Sequence, residues 1–508
     1  MDTIGIDGQS LTLNNVWDVC RNFQKVEISE SAGERVAKSR EFVEAILKEN
    51  RVVYGITTGV GDLVKTVISP KESEKLQENL LRSHAVGVGE PFPEDVVRGM
   101  ILLRANALAK GYSGVRKKLI SFLIELLNRR IYPFVPSQGS VGASGDLAPL
   151  AHLALVIIGE GECLEHGKRV PSLKILREKK IKPLRLVAKE GLALINGTQV
   201  MTSIGCLAAG EADLLMKNAQ TAGALSLEAL KGTARALDPK IHELRPYRGQ
   251  IRCAKNMRRL VAGSAIIASH RNCEKVQDAY SLRCIPQVYG SILDTVEYVK
   301  SILSIEINSA TDNPLVFADE KEVISAGNFH GEPLAFAMDF LGIALSEIGS
   351  VSERTVDRLV NPYVSGLPPF LVKKSGLNSG LMIAQYTAAA LVSENKVLAF
   401  PSSVDSIPTS AGQEDHVSMG TISARHAWRI LQNVENILAI EMICSAQGID
   451  FHALSPGKGT RAAYRTIREH IKPLEDDRVL YKDIDKAKQL IVSGEIVRKV
   501  EQAIGPLE

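Results

Sequence analysis

The sequence predicts a mostly α-helical protein in which a loop-rich N-terminal part precedes a bundle of long helices. Three observations carry this expectation. Apolar residues in the second half recur at three- and four-residue steps over stretches longer than a β-strand needs. Those stretches are rich in Ala, Leu, Glu and Lys, which are strong helix formers. Loops dense in Gly, Pro, Ser and Asn punctuate the chain between them, at 55–61, 133–145, 311–314 and 366–380.

Taken in order, a helix-compatible stretch runs from Val200 to about Leu237. Val288, Ile292, Val296, Val299 and Leu303 form the next stripe, followed by Leu334, Met338, Leu341, Leu345 and Ile348. Trp428, Leu431, Val434 and Leu438 mark another, and a last helix is expected from Ile484 to Ile504. Core packing is the ordinary use of such stripes. No fixed-period repeat is evident, so a solenoid is not expected. The chain is read as one continuous protomer, with residues 1–200 as the N-terminal part and 201–508 as the long-helix bundle with its C-terminal helices.

Composition narrows the function. With 508 residues and 45% hydrophobic content the chain can bury a large core and is not disordered. A net charge of +3 gives no reason to expect nucleic acid or an acidic membrane as the main partner. The basic run at 168–189 holds nine Lys and Arg but no interleaved aromatics that could stack on bases, so a solvated face is expected. The seven cysteines (Cys20, Cys163, Cys206, Cys253, Cys273, Cys284 and Cys444) form no Cys-x-x-Cys pair, which suits reduced thiols. The N-terminus lacks a basic region followed by an apolar one, as a signal peptide requires. The most apolar stretch, Leu147 to Gly159, is too short for a bilayer. A soluble, cytoplasmic protein without nucleic-acid or membrane partners is expected. No metal is expected either, since Glu414, Asp415 and His416 lack a third ligand at recognisable spacing.

The loop Ser137-Gln138-Gly139-Ser140-Val141-Gly142-Ala143-Ser144-Gly145-Asp146 invites two familiar readings, and both fail. It lacks the Gly-Lys-Ser/Thr ending of a phosphate loop, and Pro133 and Pro136 oppose a central strand before it. A serine-hydrolase elbow needs Gly where Asp146 stands. What remains is the chemistry of Ala143-Ser144-Gly145. Attack of the Gly145 nitrogen on the Ala143 carbonyl closes a five-membered ring. Loss of two waters, one taking the Ser144 hydroxyl, leaves an imidazolinone with an exocyclic methylene. Small Ala and Gly permit the compressed turn. Taken alone, the tripeptide reads as an ordinary turn.

The run Gly139-Ser140-Val141-Gly142-Ala143-Ser144-Gly145-Asp146-Leu147-Ala148-Pro149-Leu150 resembles the signature of the aromatic amino acid ammonia-lyases and aminomutases. Further blocks resemble that family in its own order: 54–61 (Tyr-Gly-Ile-Thr-Thr-Gly-Val-Gly), 195–198, 276–283, 311–314, 327–330 and 413–419. The resemblance covers nearly the whole chain, from about Gly55 to Phe451. Thr57, Val60 and Gly412 depart from the pattern, where Asn, Phe and Asn are common. The resemblance implies a methylidene-imidazolinone (MIO) electrophile made from Ala143, Ser144 and Gly145, with no dissociable cofactor. It implies a helical architecture like that of the fumarase and aspartase superfamily. It also implies a homotetramer whose active sites are shared between subunits.

The implied reaction removes ammonia and a β-proton from an amino acid, the electrophile turning the amine into a better leaving group. By resemblance Tyr54 is the base, although a Tyr beside glycines is often a packing residue. Arg283 would clamp the substrate carboxylate with its planar fork, or else form a structural salt bridge. Gln277, Tyr280 and Arg283 recur at three-residue steps and would share one face lining a pocket if the stretch is helical; by resemblance Tyr280 is a catalytic group and Gln277 a substrate-binding one. The resemblance adds Asn196 at the carboxylate and Phe329 beside the electrophile. Two positions point to the substrate. Ser83-His84 and Glu414 resemble the histidine-specific lyases, and a carboxylate facing imidazole suits a ring near its own pKa. Without the family, His84 reads as a core histidine and Glu414 as a helix-start carboxylate. The expected reaction is non-oxidative conversion of L-histidine to urocanate, the first step of histidine degradation. The alternative is a tyrosine lyase or tyrosine 2,3-aminomutase, because His84 could equally bond a phenol. A non-catalytic relative would be expected to have lost Tyr54, Arg283 or the tripeptide. A fumarase-type lyase would need a Lys in the 404–410 loop, which has none.

Overall fold

A computed structural model describes residues 3–270 and 276–508, so Cys273 lies outside the described residues. The described residues are 62% helical, and their strands are short and paired in sheets of two or three. The six described cysteines are all free thiols. Two compact units emerge. The first gathers residues 1–207, 300–339 and 401–425, and the second 208–299, 340–400 and 426–508.

In the first unit the helix Glu94–Ala109 is buried from Val96 onward, including Arg98, Arg104 and Asn106. Its apolar residues surround it on every side, so each polar group needs an internal partner. Arg98 donates to the Val19 carbonyl and the Tyr132 hydroxyl, and Asn106 to the Ile307 carbonyl. Among the described residues no central strand precedes the glycine-rich loop, as Pro133 and Pro136 lead one to expect. They sit in the two- and three-residue strands Tyr132–Pro133 and Pro136–Gln138, short enough to spare a backbone donor.

The periodic stripes fall on the helices Gln199–Ala229, Ile285–Glu306, Glu332–Val360 and Gly420–Asp450. Two expected boundaries are corrected. The first helix stops at Ala229 rather than Leu237, because Lys231 takes a left-handed φ of 48° and only a 3-10 turn, Ala234–Leu237, follows. The expected helix 484–504 is two helices, Tyr481–Val492 and Glu495–Ile504, parted at Gly494 with φ 70°. A third correction concerns apolar length. Glu332–Val360, not the segment after Leu147, is long and apolar enough to cross a bilayer, yet most of its apolar window is buried within the protein.

In the second unit small residues let the long helices approach. A side chain at Gly349 would press on Ile437, and one at Gly448 on Ala229 and Leu367. At the same level lies a buried carboxylate. Glu441 accepts from the Ser226 hydroxyl at 2.7 Å and the Ser352 hydroxyl at 2.6 Å, and Ser445 touches Ser226 at 2.7 Å. Burial raises the Glu441 carboxyl from 4.5 to about 7 against those hydrogen bonds. A raised carboxyl favours the folded state below its unfolded value, and that contribution is lost as pH rises through about 7. The Glu441→Gln variant should therefore match the native protein near pH 4.5. Its advantage should grow to at most about 3 kcal/mol above pH 7. Denaturant unfolding of both proteins across this range checks it; a difference independent of pH would refute it.

Candidate active site

The glycine-rich loop is fastened at Asp146. Its N–H donates to the Gly197 carbonyl at 2.7 Å. Its carboxylate accepts from the Val200 and Met201 amides at 2.9 and 3.1 Å, the first free donors of the helix Gln199–Ala229. Ser140, at 3.2 Å, and Thr421 complete its shell. Burial raises the Asp146 carboxyl to about 6, opposed by these four donors. On the upstream side the Met419 N–H donates to the Val141 carbonyl at 2.9 Å. Gly145, with φ 75°, lies so close to the Gly197 carbonyl that any Cβ would collide with it. Small residues at 143 and 145, expected from the chemistry of the tripeptide, are thus also demanded by the packing at 145.

This loop walls a cavity of about 940 Å³ in the first unit. Tyr54, His84, Ala143, Ser144, Gly145, Asn196, Phe329 and Glu414 all line it, so eight of the expected site residues are brought together. Gln277, Tyr280 and Arg283 do not line it and belong to the second unit. The expected helical face is also corrected. Only the single turn Tyr280–Arg283 is helical, Gln277 precedes it in an exposed loop, and the Arg283 guanidinium lies over the Tyr280 ring at 4.5 Å. The ring is 71% exposed.

Tyr54 precedes a tight turn closed by side chains. Thr57 accepts from the Val53 N–H and donates to the Arg51 carbonyl, both at 2.8 Å, while Thr58 accepts from Gly55 at 3.1 Å. The Thr at 57, a departure from the family pattern, therefore staples the loop. The Tyr54 hydroxyl oxygen accepts the Gly61 N–H at 3.2 Å. His84 ends the helix Pro70–His84, its Nδ1 3.0 Å from the Ser83 hydroxyl. Burial lowers its pKa, only partly offset by the Leu80 carbonyl, so the ring is neutral near pH 7. Glu414 is presented by a tight hairpin in which its N–H and C=O both pair with Thr409. One carboxylate oxygen of Glu414 is buried without a hydrogen-bond partner among the described residues. Asn196 follows the helix Glu190–Ile195 and donates from Nδ2 to the Ser144 carbonyl at 3.2 Å, its Oδ1 likewise buried and unpartnered. Orphaned buried acceptors of this kind mark where a ligand's donors belong.

Sequence reasoning passed over several residues of this site. Asp146 stands inside the signature, and its place just before an apolar helix was the available signal. Arg104, which donates to the Asn196 carbonyl at 2.5 Å, is a charge inside the apolar run 100–109. Thr421, Leu76, Asn79 and Ser410 carry no comparable mark.

Comparison with known proteins fixes the family. Residues 11–469 match the aromatic amino acid lyase family. The chain belongs to the aromatic amino acid lyases. Relatives of this lyase include histidine ammonia-lyases from Alkaliphilus oremlandii, 56% identical over 99% of both chains, and from Caldanaerobacter subterraneus subsp. tengcongensis, 54% identical over 98% of both. Among solved structures the lyase is similar to histidine ammonia-lyase from Trypanosoma cruzi. That match has a TM-score of 0.92 and 44% identity, and covers 99% of this chain and 96% of the other. It is also similar to tyrosine aminomutase from Streptomyces globisporus, with a TM-score of 0.94, 40% identity and full coverage of both.

Proposed function

We propose that this lyase converts L-histidine to urocanate and ammonia, using an MIO group formed from Ala143, Ser144 and Gly145. The observation that carries the substrate choice is the unpartnered, buried Glu414 oxygen in the same cavity as a neutral His84. Neutral imidazole offers one N–H donor to such acceptors and its protonated form offers two, whereas a phenyl ring offers none. A phenol never offers more than one, and so leaves a second acceptor unpaired. Relatives 56%, 54% and 52% identical to this chain also bear the histidine name.

The loop fits the proposed group. Gly145 has the left-handed backbone and the cramped surroundings that only glycine tolerates, and Asn196 holds the Ser144 carbonyl. When formed, the group supplies an electrophile for the substrate amine. Tyr54, with its own hydroxyl proton released to solvent, then takes the β-proton on its phenolate oxygen, which the Gly61 N–H stabilises by donating to it. His84 and Glu414 orient the imidazole, Asn196 offers its amide to the amino-acid end, and Phe329 closes the wall. Arg283, Gln277 and Tyr280 are supplied by neighbouring copies in a homotetramer. This accords with their absence from the cavity of their own chain and with the exposure of Tyr280. Free thiols accord with a cytoplasmic setting.

Purified protein should release urocanate from L-histidine, seen as rising ultraviolet absorbance, faster than it deaminates L-tyrosine or L-phenylalanine assayed alongside. Faster coumarate release from L-tyrosine would overturn the substrate assignment.

A further inference from the structure

Arg104 lies in the middle of the helix Glu94–Ala109 and is fully buried. Its neighbours there are apolar, so packing alone gives no reason for a guanidinium. Its Nη1 donates to one acceptor, the main-chain carbonyl of Asn196, at 2.5 Å, and its Nε and Nη2 find no partner among the described residues. The charge is sustained from nearby: Asp312, paired with Lys189 at 2.6 Å, offsets the burial that pulls Arg104 down to about 10. It therefore stays protonated at neutral pH. The turn it grips has no slack. A Cβ on Gly197 would meet Gln199 Oε1 at 2.6 Å, Thr311 Oγ1 at 2.7 Å and Arg104 Nη1 at 2.9 Å.

We propose that Arg104 is a positioning residue, which fixes the main chain of Asn196 so that the Asn196 amide stays on the Ser144 carbonyl oxygen. The inference rests on the functional reading above. Ring closure expels the Ala143 carbonyl oxygen and the Ser144 hydroxyl as water, so the Ser144 carbonyl oxygen survives. The Asn196 hydrogen bond therefore persists on a carbonyl conjugated with the exocyclic methylene. A donor held there draws electron density from the methylene and lowers the energy of the conjugated chromophore's absorption. A charge-assisted bond to the peptide that carries this donor is a strong and short-range way to hold it.

The test uses Arg104→Met, which keeps the apolar stem, together with Asn196→Ala and the double variant. The mass of the tripeptide first establishes that two waters have been lost in each. Arg104→Met should lower kcat about 10- to 100-fold, the range for a hydrogen bond to a charged group, with KM changed less. Its near-ultraviolet band should move to shorter wavelength, to the position seen in Asn196→Ala. In the Asn196→Ala background the same replacement should cost less than about threefold, because coupled residues are not additive. A band at the native position, or losses that multiply in the double variant, would overturn the assignment. If the Met variant does not accumulate, Arg104→Gln is read by the same band and the same cycle. Native protein that lacks the two-water loss or releases no urocanate would defeat the functional reading instead, whereas an active native protein with multiplying losses defeats only this inference.

Discussion

Replacing Ser144 with Ala is expected to abolish turnover while leaving the fold intact. In the proposed chemistry the Ser144 hydroxyl leaves to create the exocyclic methylene, so the variant would be unable to form the electrophile whatever the rest of the loop does. Loss of the group that carries covalent catalysis costs roughly 10³-fold or more in kcat. Stability should hardly move. Ser144 is only half-buried, and its carbonyl, not its side chain, receives the Asn196 hydrogen bond. Gly145, Asp146 and Thr421 keep their contacts in the variant, so the change in unfolding free energy should lie within about 0.5 kcal/mol. Activity on L-histidine, the mass of the tripeptide and a denaturant melt check the three parts together. Retained activity would refute the assigned chemistry, and a collapsed melt would refute the separation of catalysis from folding.

The largest stability effect is expected at Asp312. Its carboxylate pairs with Lys189 at 2.6 Å, and both side chains are essentially without solvent contact. Burial lowers the Lys189 pKa and Asp312 holds it up, while Arg104 pushes it down again. Asp312→Asn keeps the shape but leaves two buried cations without this countercharge. Breaking a buried pair on one side typically costs about 3–5 kcal/mol. The loss should shrink as pH rises, because Lys189 in the variant sheds its proton more readily than in the native protein. Unfolding measured at pH 6 and pH 9 reads both effects; a loss below about 1 kcal/mol at pH 6 would contradict them.

Much of the bundle was legible in the sequence because apolar periodicity is a local signal. Val288 to Leu303 and Leu334 to Ile348 sit on helices as their spacing requires. The misplaced boundaries have an equally local cause, the left-handed residues Lys231 and Gly494, of which only the glycine announces itself. The cavity was legible for a different reason. Tyr54, Ser144, Asn196, Phe329 and Glu414 stand in short blocks that resemble a family, and no spacing rule would have joined residues 360 positions apart. What stayed hidden depends on tertiary contact. Segments 300–339 and 401–425 pack with the first 207 residues, a gathering that no composition shift marks. Asp146 and Arg104 carry a mark in the sequence, but what each of them does depends on the distant groups it bonds.

The fastening of Asp146 also bears on the order of events during synthesis. The loop 140–146 is not a local structure, because its anchors arrive late. The Val200 and Met201 amides lie 54 and 55 residues downstream, and Thr421 lies 275 residues downstream. At a ribosomal rate of about 5–20 residues per second, tens of seconds can separate the emergence of the tripeptide from that of its last clasp. Through that interval the segment lacks the contacts that fasten it in the folded protein. The fastened turn is complete only when nearly the whole polypeptide has been made, so on the proposed chemistry ring closure would follow the gathering of these distant segments.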